Sequence, residues 1–406
     1  MRNKILIFFF FLSQWSFAQL PGIKTPNGAE GCEIPFEYVN HFIIIKVYIN
    51  GFFPCNFIFD TGAEHTLITK KEISDILGIQ YEKEFKVIGA DLKTVMTAYL
   101  AKKVQYKLFN GIEAEQDVLV LADDYINLDD YTGMQIHGIL GADAFLNGVV
   151  KIDYDQKKIQ FIKSEYFNVK LKKYTKIPIN ISKSKPYINV ESKISDTNTV
   201  NIKLLMDTGA NLGILLYPND SIGLSIPPKT INGSLGAGLG GQLFGVIGRI
   251  NALNIGSYNF GSLPCTFQAL DTLLVFNTSS RNGIIGNVIL ERFNLIIDYN
   301  KEQLYLSPNR NFKQPFLVDK SGLSLISSGV HHQTFIIQHV QPNSPASEVD
   351  IKKGDIILKV GWLSANFFSL DDLIAKFRGK NGKKIKLKLL RDGKKLKKTF
   401  YLRDLI

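Results

Sequence analysis

Cysteine is scarce in this 406-residue chain, with Cys32, Cys55 and Cys265 its only three. An odd count leaves one thiol over, which excludes the paired disulfide framework that staples small secreted domains. A Cys32–Cys55 bridge and plain buried thiols both stay open, and the spacing suggests no metal site. No cofactor is expected. Long apolar runs are also missing beyond the amino terminus, so no stable membrane insertion is expected. An excess of positive charge is confined to the ends. The net charge is +11, yet residues 1–18 carry +2 and residues 380–406 carry +9, leaving 19–379 neutral. That distribution gives no argument for a nucleic-acid partner. The glycine-rich stretch SLGAGLGGQLFG (234–245) lacks the Gly-Lys-Ser/Thr ending of a phosphate-binding loop.

What is present begins with MRNKILIFFFFLSQWSFA. Arg2 and Lys4 precede a short apolar run over 5–12, and Ser16 and Ala18 are small residues at a cleavage site. This reads as a secretory signal over 1–18, cut after Ala18, and predicts export to the periplasm or beyond the cell. Eight apolar residues are too few for a membrane span. No cysteine follows the cut to carry a lipid.

Internal repetition sets the architecture. Asp60 and Asp207 each stand in an Asp-Thr-Gly-Ala tetrapeptide after an apolar run, 147 residues apart. HGILGADAF (137–145) returns as NGIIGNVIL (282–290), and VKIDYDQKKIQF (150–161) as LIIDYNKEQLYL (295–306), both offset by 145. Two copies of one unit of about 145 residues follow, a usual domain size. Alternating or short apolar runs predict strands over 43–49, 56–59, 202–206 and 214–217. Asn50-Gly51 and Pro54 break the first pair, and hairpin turns fall at 155–156 and 300–301. Short helices are expected over 71–77, 141–146 and 287–292, and 166–187 reads as the passage between copies.

After Ser307-Pro308 the pattern changes. Strands, a short helix, strands, a longer helix and a hairpin predict a separate unit over about 316–406. Ser344-Pro345 supplies a cap with proline at the first helical position, and Ser369-x-x-Asp372 forms a capping box. In the last hairpin Lys384, Lys386 and Lys388 alternate with Ile385, Leu387 and Leu389, as in a half-buried strand, and Arg391-Asp392-Gly393 makes the turn.

An aspartate delivered by an apolar strand to a tight glycine turn is desolvated, and must be hydrogen-bonded, paired or protonated. Two such units related by pseudo-symmetry bring Asp60 and Asp207 together, where they share one proton. One then acts as general base on a water while the other protonates a carbonyl oxygen. That is peptide-bond hydrolysis without metal or covalent intermediate, on a polypeptide substrate. A catalytically silent, exported peptide-binding protein with the same cleft is the alternative.

The two repeats resemble retropepsins, the retroviral-type aspartic proteases, through the paired Asp-Thr-Gly-Ala motifs and the later Ile139-Leu140-Gly141 and Ile284-Ile285-Gly286. The resemblance implies a mainly β fold with two β-barrel lobes in one chain, over 35–165 and 175–308. It implies that Thr61 and Thr208 interlock beneath the dyad and that Gly62 and Gly209 border the substrate. Glu64 and Asn211 stand where the family commonly has an Asp that contacts substrate backbone. Flaps are expected between each Asp and its later glycine motif, with Gly238, Gly240 and Gly241 in the second and 87–96 in the first. Ala63 and Ala210 replace the Ser or Thr of pepsin-like enzymes, which raises the dyad's pKa values and moves the pH optimum toward neutrality. The C-terminal unit resembles a PDZ domain through VQPNSPASEVDIKKGDIILKVGW and SLDDLIAKF. By that resemblance Gly322-Leu323-Ser324-Leu325 is the loop that captures a peptide C-terminus, with Ser324 in place of the usual second glycine.

Overall fold

The computed structural model describes residues 30–406 apart from 52, 89–94, 110–111, 147, 169–170, 239–240, 270–280 and 330. Residues 1–18, read from the sequence as a signal, lie outside the described residues. Among these, strands form three sheets of 13, eight and six members, so the molecule is mainly β.

Each repeat builds the same local frame. In the first, hairpin strands Phe42–Ile49 and Phe53–Phe59 pair antiparallel, and the second lies parallel to Gly138–Leu140. In the second, Lys185–Lys193 and Thr199–Met206 repeat the hairpin, and Gly283–Ile285 runs parallel beside it. Registers agree: Phe57, Ile58 and Phe59 face Gly138, Ile139 and Leu140, as Leu204, Leu205 and Met206 face Gly283, Ile284 and Ile285. These apolar strands are almost wholly buried, which is how parallel pairing inside a fold reads in sequence. Pro54 does not break its strand, which begins at Phe53. A proline there, near the strand's start, loses little because its missing N–H is tolerated at strand ends and edges.

The copies are joined through their closing hairpins. Gly148–Asp153 and Lys158–Lys163 form one, Phe293–Asp298 and Gln303–Pro308 the other, and Val149–Ile152 pairs antiparallel with Leu295–Asp298. The recurring aspartates close the turns. Asp153 Oδ1 accepts from Gln156 N–H at 2.9 Å and Asp298 Oδ1 from Lys301 N–H at 3.0 Å. Outer strands Gly31–Pro35 and Thr175–Ser182 flank this shared sheet. The presumed passage between copies is thus already strand from Thr175 onward. Its Ile177 and Ile179 alternate inward while Lys176 and Pro178 face out. One apolar core runs through both copies, from Ile34 and Phe59 to Phe293 and Leu306.

The C-terminal sheet carries its own core around Phe335, Leu373 and Phe377. Helix Pro345–Glu348 is capped reciprocally by Ser344 and Ser347, and helix Leu370–Phe377 by Ser369 and Asp372. Asp392 and Gly393, at φ 48° and 76°, make the two-residue turn between Lys384–Arg391 and Lys394–Tyr401. This unit docks on the first copy. Helix Leu128–Thr132 packs on strand Leu323–Ser328. Gln338 Nε2 donates to Tyr131 OH (2.7 Å), and Asn40 N–H to Asp371 (3.0 Å). Among the described residues, no helix is long and apolar enough to cross a membrane. The cysteines are free thiols, and burial pushes Cys55 up to about 12.

Candidate active site

The strands Phe53–Phe59 and Thr199–Met206 end on Asp60 and Asp207, each anchored by its backbone N–H to the parallel neighbour. Asp60 donates to Leu140 O and Asp207 to Ile285 O, both at 3.0 Å. The next residue of that neighbour is Gly141 or Gly286. A Cβ on Gly141 would lie 2.4 Å from the His65 carbonyl carbon, and one on Gly286 2.5 Å from Leu212 O. The glycine of each apolar-apolar-Gly element therefore gives room for the chain leaving the Asp turn.

Between the turns the two copies clasp each other. Thr61 N–H donates to Thr208 Oγ1 (3.0 Å) and Thr208 N–H to Thr61 Oγ1 (3.1 Å). The hydroxyls donate onward across the pseudo-dyad, Thr61 to Met206 O (2.7 Å) and Thr208 to Phe59 O (2.9 Å). Both threonines are fully buried, so each crossed bond satisfies a donor that water cannot reach.

Above them the carboxylates face one another. A Cβ on Gly62 would fall 2.4 Å from the Asp207 carboxyl carbon, and one on Gly209 2.3 Å from that of Asp60. Each glycine vacates the space its opposite carboxylate fills. Asp60 Oδ1 accepts from Gly62 N–H (2.6 Å) and Ala63 N–H (3.1 Å). Asp207 Oδ1 accepts from Gly209 N–H (2.8 Å), while Ala210 N–H turns to the Asp207 carbonyl (3.4 Å). Burial raises both pKa values above the usual carboxylate range, and the neighbouring charge of Asp60 drives Asp207 up further. Two buried carboxylates this close titrate as a pair, and Asp60 has more backbone N–H donors than Asp207.

The remaining candidates are distributed unequally. Glu64 forms an ion pair with Lys185 of the second copy (3.7 Å) and lies 3.7 Å from His65 Nε2. Asn211 borders a cavity shared with the C-terminal unit. Gly238 pairs with Gly241 at the end of hairpin Thr230–Gly238 and Gly241–Ile255, while Gly240 lies outside the described residues. In the first copy Lys83–Ile88 pairs with Val95–Leu108, flanking 89–94, which also lie outside them. Ser324 and Leu325 belong to the edge strand Leu323–Ser328. Gly322, at φ 82°, packs so close to Ser344 that a Cβ would lie 2.2 Å from it. Its N–H donates to Asp319 (2.6 Å), and that of Leu323 to Ser321 Oγ (3.0 Å). Two donors of the presumed capture loop are thus taken by its own chain. Among the described residues no group of three or more His, Cys, Asp or Glu is placed to hold a metal ion.

Sequence reasoning missed Asn287. Its amide donates to the Thr208 and His41 carbonyls and accepts from Tyr154 OH (2.7 Å), tying the Asp207 turn of the second copy to the first. The available signal was a buried-looking Asn directly after the repeated glycine. It missed Asp143 too, which accepts from Thr66 N–H (3.1 Å) and Oγ1 (3.0 Å).

Residues 45–144 match the model of a family described as aspartyl protease, and residues 322–400 match that of the PDZ domain. A comparison with curated proteins finds no match. The chain thus carries an aspartyl-protease domain, whose matched span includes Asp60 and Gly141, and a PDZ domain. The unmatched second copy repeats that frame strand for strand.

Proposed function

We propose that the protein is an exported aspartic endopeptidase whose dyad, Asp60 and Asp207, activates a water for attack on a peptide bond. The observation that carries this reading is the mutual fit of the two turns. Gly62 makes room for Asp207, Gly209 makes room for Asp60, and crossed threonines fix the spacing beneath them. Asp60, held by two backbone N–H groups, takes the proton of the water. Asp207, which keeps the shared proton, passes it to the substrate carbonyl oxygen as the tetrahedral centre forms. As the C–N bond breaks, Asp60 gives its proton to the leaving amine while a hydroxyl of the tetrahedral centre returns one to Asp207, and the starting state returns. Hairpin Thr230–Gly238 and Gly241–Ile255 covers an extended substrate, and the PDZ domain orients it. Export follows from the reading of residues 1–18 as a signal.

The test is cleavage of an unfolded polypeptide by the purified protein, with and without a pepstatin-like transition-state analogue. Asp60→Asn and Asp207→Asn should each lower the rate by roughly 10²–10⁴-fold. Intact substrate across a broad pH range, with binding retained, would instead identify a silent peptide-binding protein.

A further inference from the structure

The PDZ domain and the second copy enclose a cavity of about 340 Å³. That is near the lower end of ligand pockets, enough for a side chain or two. Leu212, Ile214 and Ile247 line one wall, the first two from the segment that follows Asp207, the third from the flap hairpin. Leu323, Ile374 and Phe377 of the PDZ domain line the facing wall, and Asn40 and Tyr131 of the first copy close a third side.

The rest of the PDZ groove is already engaged. Its edge strand Leu323–Ser328 would be the place for an added peptide strand. Helix Leu128–Thr132 covers it instead, with Ser327 Oγ donating to Asp130 O (3.2 Å). Asp319 takes the N–H groups of Ser321 (2.9 Å) and Gly322 (2.6 Å) at the loop. Strand addition and carboxylate capture would both have to displace these contacts. The end that stays open faces Asn211, four residues past Asp207. A strand lying across the dyad runs beside that segment.

We propose that this cavity is a distal subsite for a bulky apolar side chain of the polypeptide substrate, with the PDZ domain as one of its walls. The domain then selects sequence at a fixed distance from the scissile bond, where the resemblance alone implied a tether for chain ends. This inference rests on the endopeptidase reading for the identity of the bound chain.

The experiment separates the two claims by measuring binding without turnover. In the Asp60→Asn/Asp207→Asn protein, fluorescein-labelled decapeptides are titrated in which one Phe is walked along an alanine–serine background. One register should bind about tenfold tighter than the rest, the discrimination that a hydrophobic pocket affords. Ile374→Trp fills the cavity from the PDZ side and Leu212→Trp from the second copy. Each should abolish that advantage and leave the other registers unchanged. Two variants on opposite walls guard against one failing to fold, which circular dichroism and thermal melting check. A flat profile, or an advantage that survives both substitutions in folded protein, overturns the subsite. Absence of turnover by the unsubstituted protein with the favoured register intact removes the endopeptidase reading and leaves the pocket standing.

Discussion

At the scale of single residues, the site is defined by what Gly62 and Gly209 do not have. A methyl group at either would sit inside the opposite carboxylate, so these glycines answer to proximity more than to backbone freedom. The same proximity has a measurable cost in pH. Folding raises the pKa of Asp60 and, further, of Asp207, chiefly through burial. An acid whose folded pKa is raised contributes stability below its unfolded value, about 4 for a carboxylate, and loses it as pH climbs through the folded value. Native stability should therefore fall from pH 4 upward through that window. Asp207→Asn, neutral throughout, should melt above the unsubstituted protein at pH 8 and converge with it below pH 4. Thermal unfolding across a pH series reads this directly, and parallel curves for the two proteins would contradict it. The raised pair likewise moves the activity maximum toward neutrality, and a rate profile peaking below pH 3 would count against the paired-proton account.

At the scale of elements, two parallel strand pairs and one four-strand seam carry the arrangement. Asn287 links them, since it bridges Thr208 and His41 while holding Tyr154. Asn287→Ala leaves buried carbonyls and a hydroxyl without partners and should cost about 1–3 kcal/mol in denaturant unfolding. Its effect on turnover should appear in kcat more than in KM, because the turn bearing Asp207 loses its support. An unchanged unfolding midpoint would show that water replaces the amide. Much of this frame was legible in the sequence because burial on both faces leaves a plain mark. FIF before Asp60 and LLM before Asp207 recur 147 residues apart, and IL-Gly and II-Gly later recur 145 apart. The serine caps of the C-terminal helices were equally readable, since capping is local. What escaped was decided by distant partners. Lys185 meets Glu64 only once the copies fold together. Helix Leu128–Thr132 is a short polar stretch whose importance comes from the PDZ strand it covers. Asp319 binds the loop that follows it, and burial raises its pKa to about 6.

At the scale of the whole molecule, both halves of the dyad come from one chain, and the seam between Val149–Ile152 and Leu295–Asp298 is intramolecular. Specific activity should therefore be independent of protein concentration down to the nanomolar range. The active species should sediment near the mass of one chain, 45.6 kDa before any signal is removed. A rate that falls with the square of dilution would mean that lobes are exchanged between chains. The single chain also frees its two halves to differ. Glu64 with Lys185 lies to one side of the dyad and Asn211 to the other, and among the described residues Asp60 has two backbone donors to Asp207's one. On the endopeptidase reading, a peptide laid across the floor in one direction and the same peptide reversed meet different neighbours at these positions. Where a pair of identical chains would read a sequence and its mirror alike, this protein has a built-in sense of left and right.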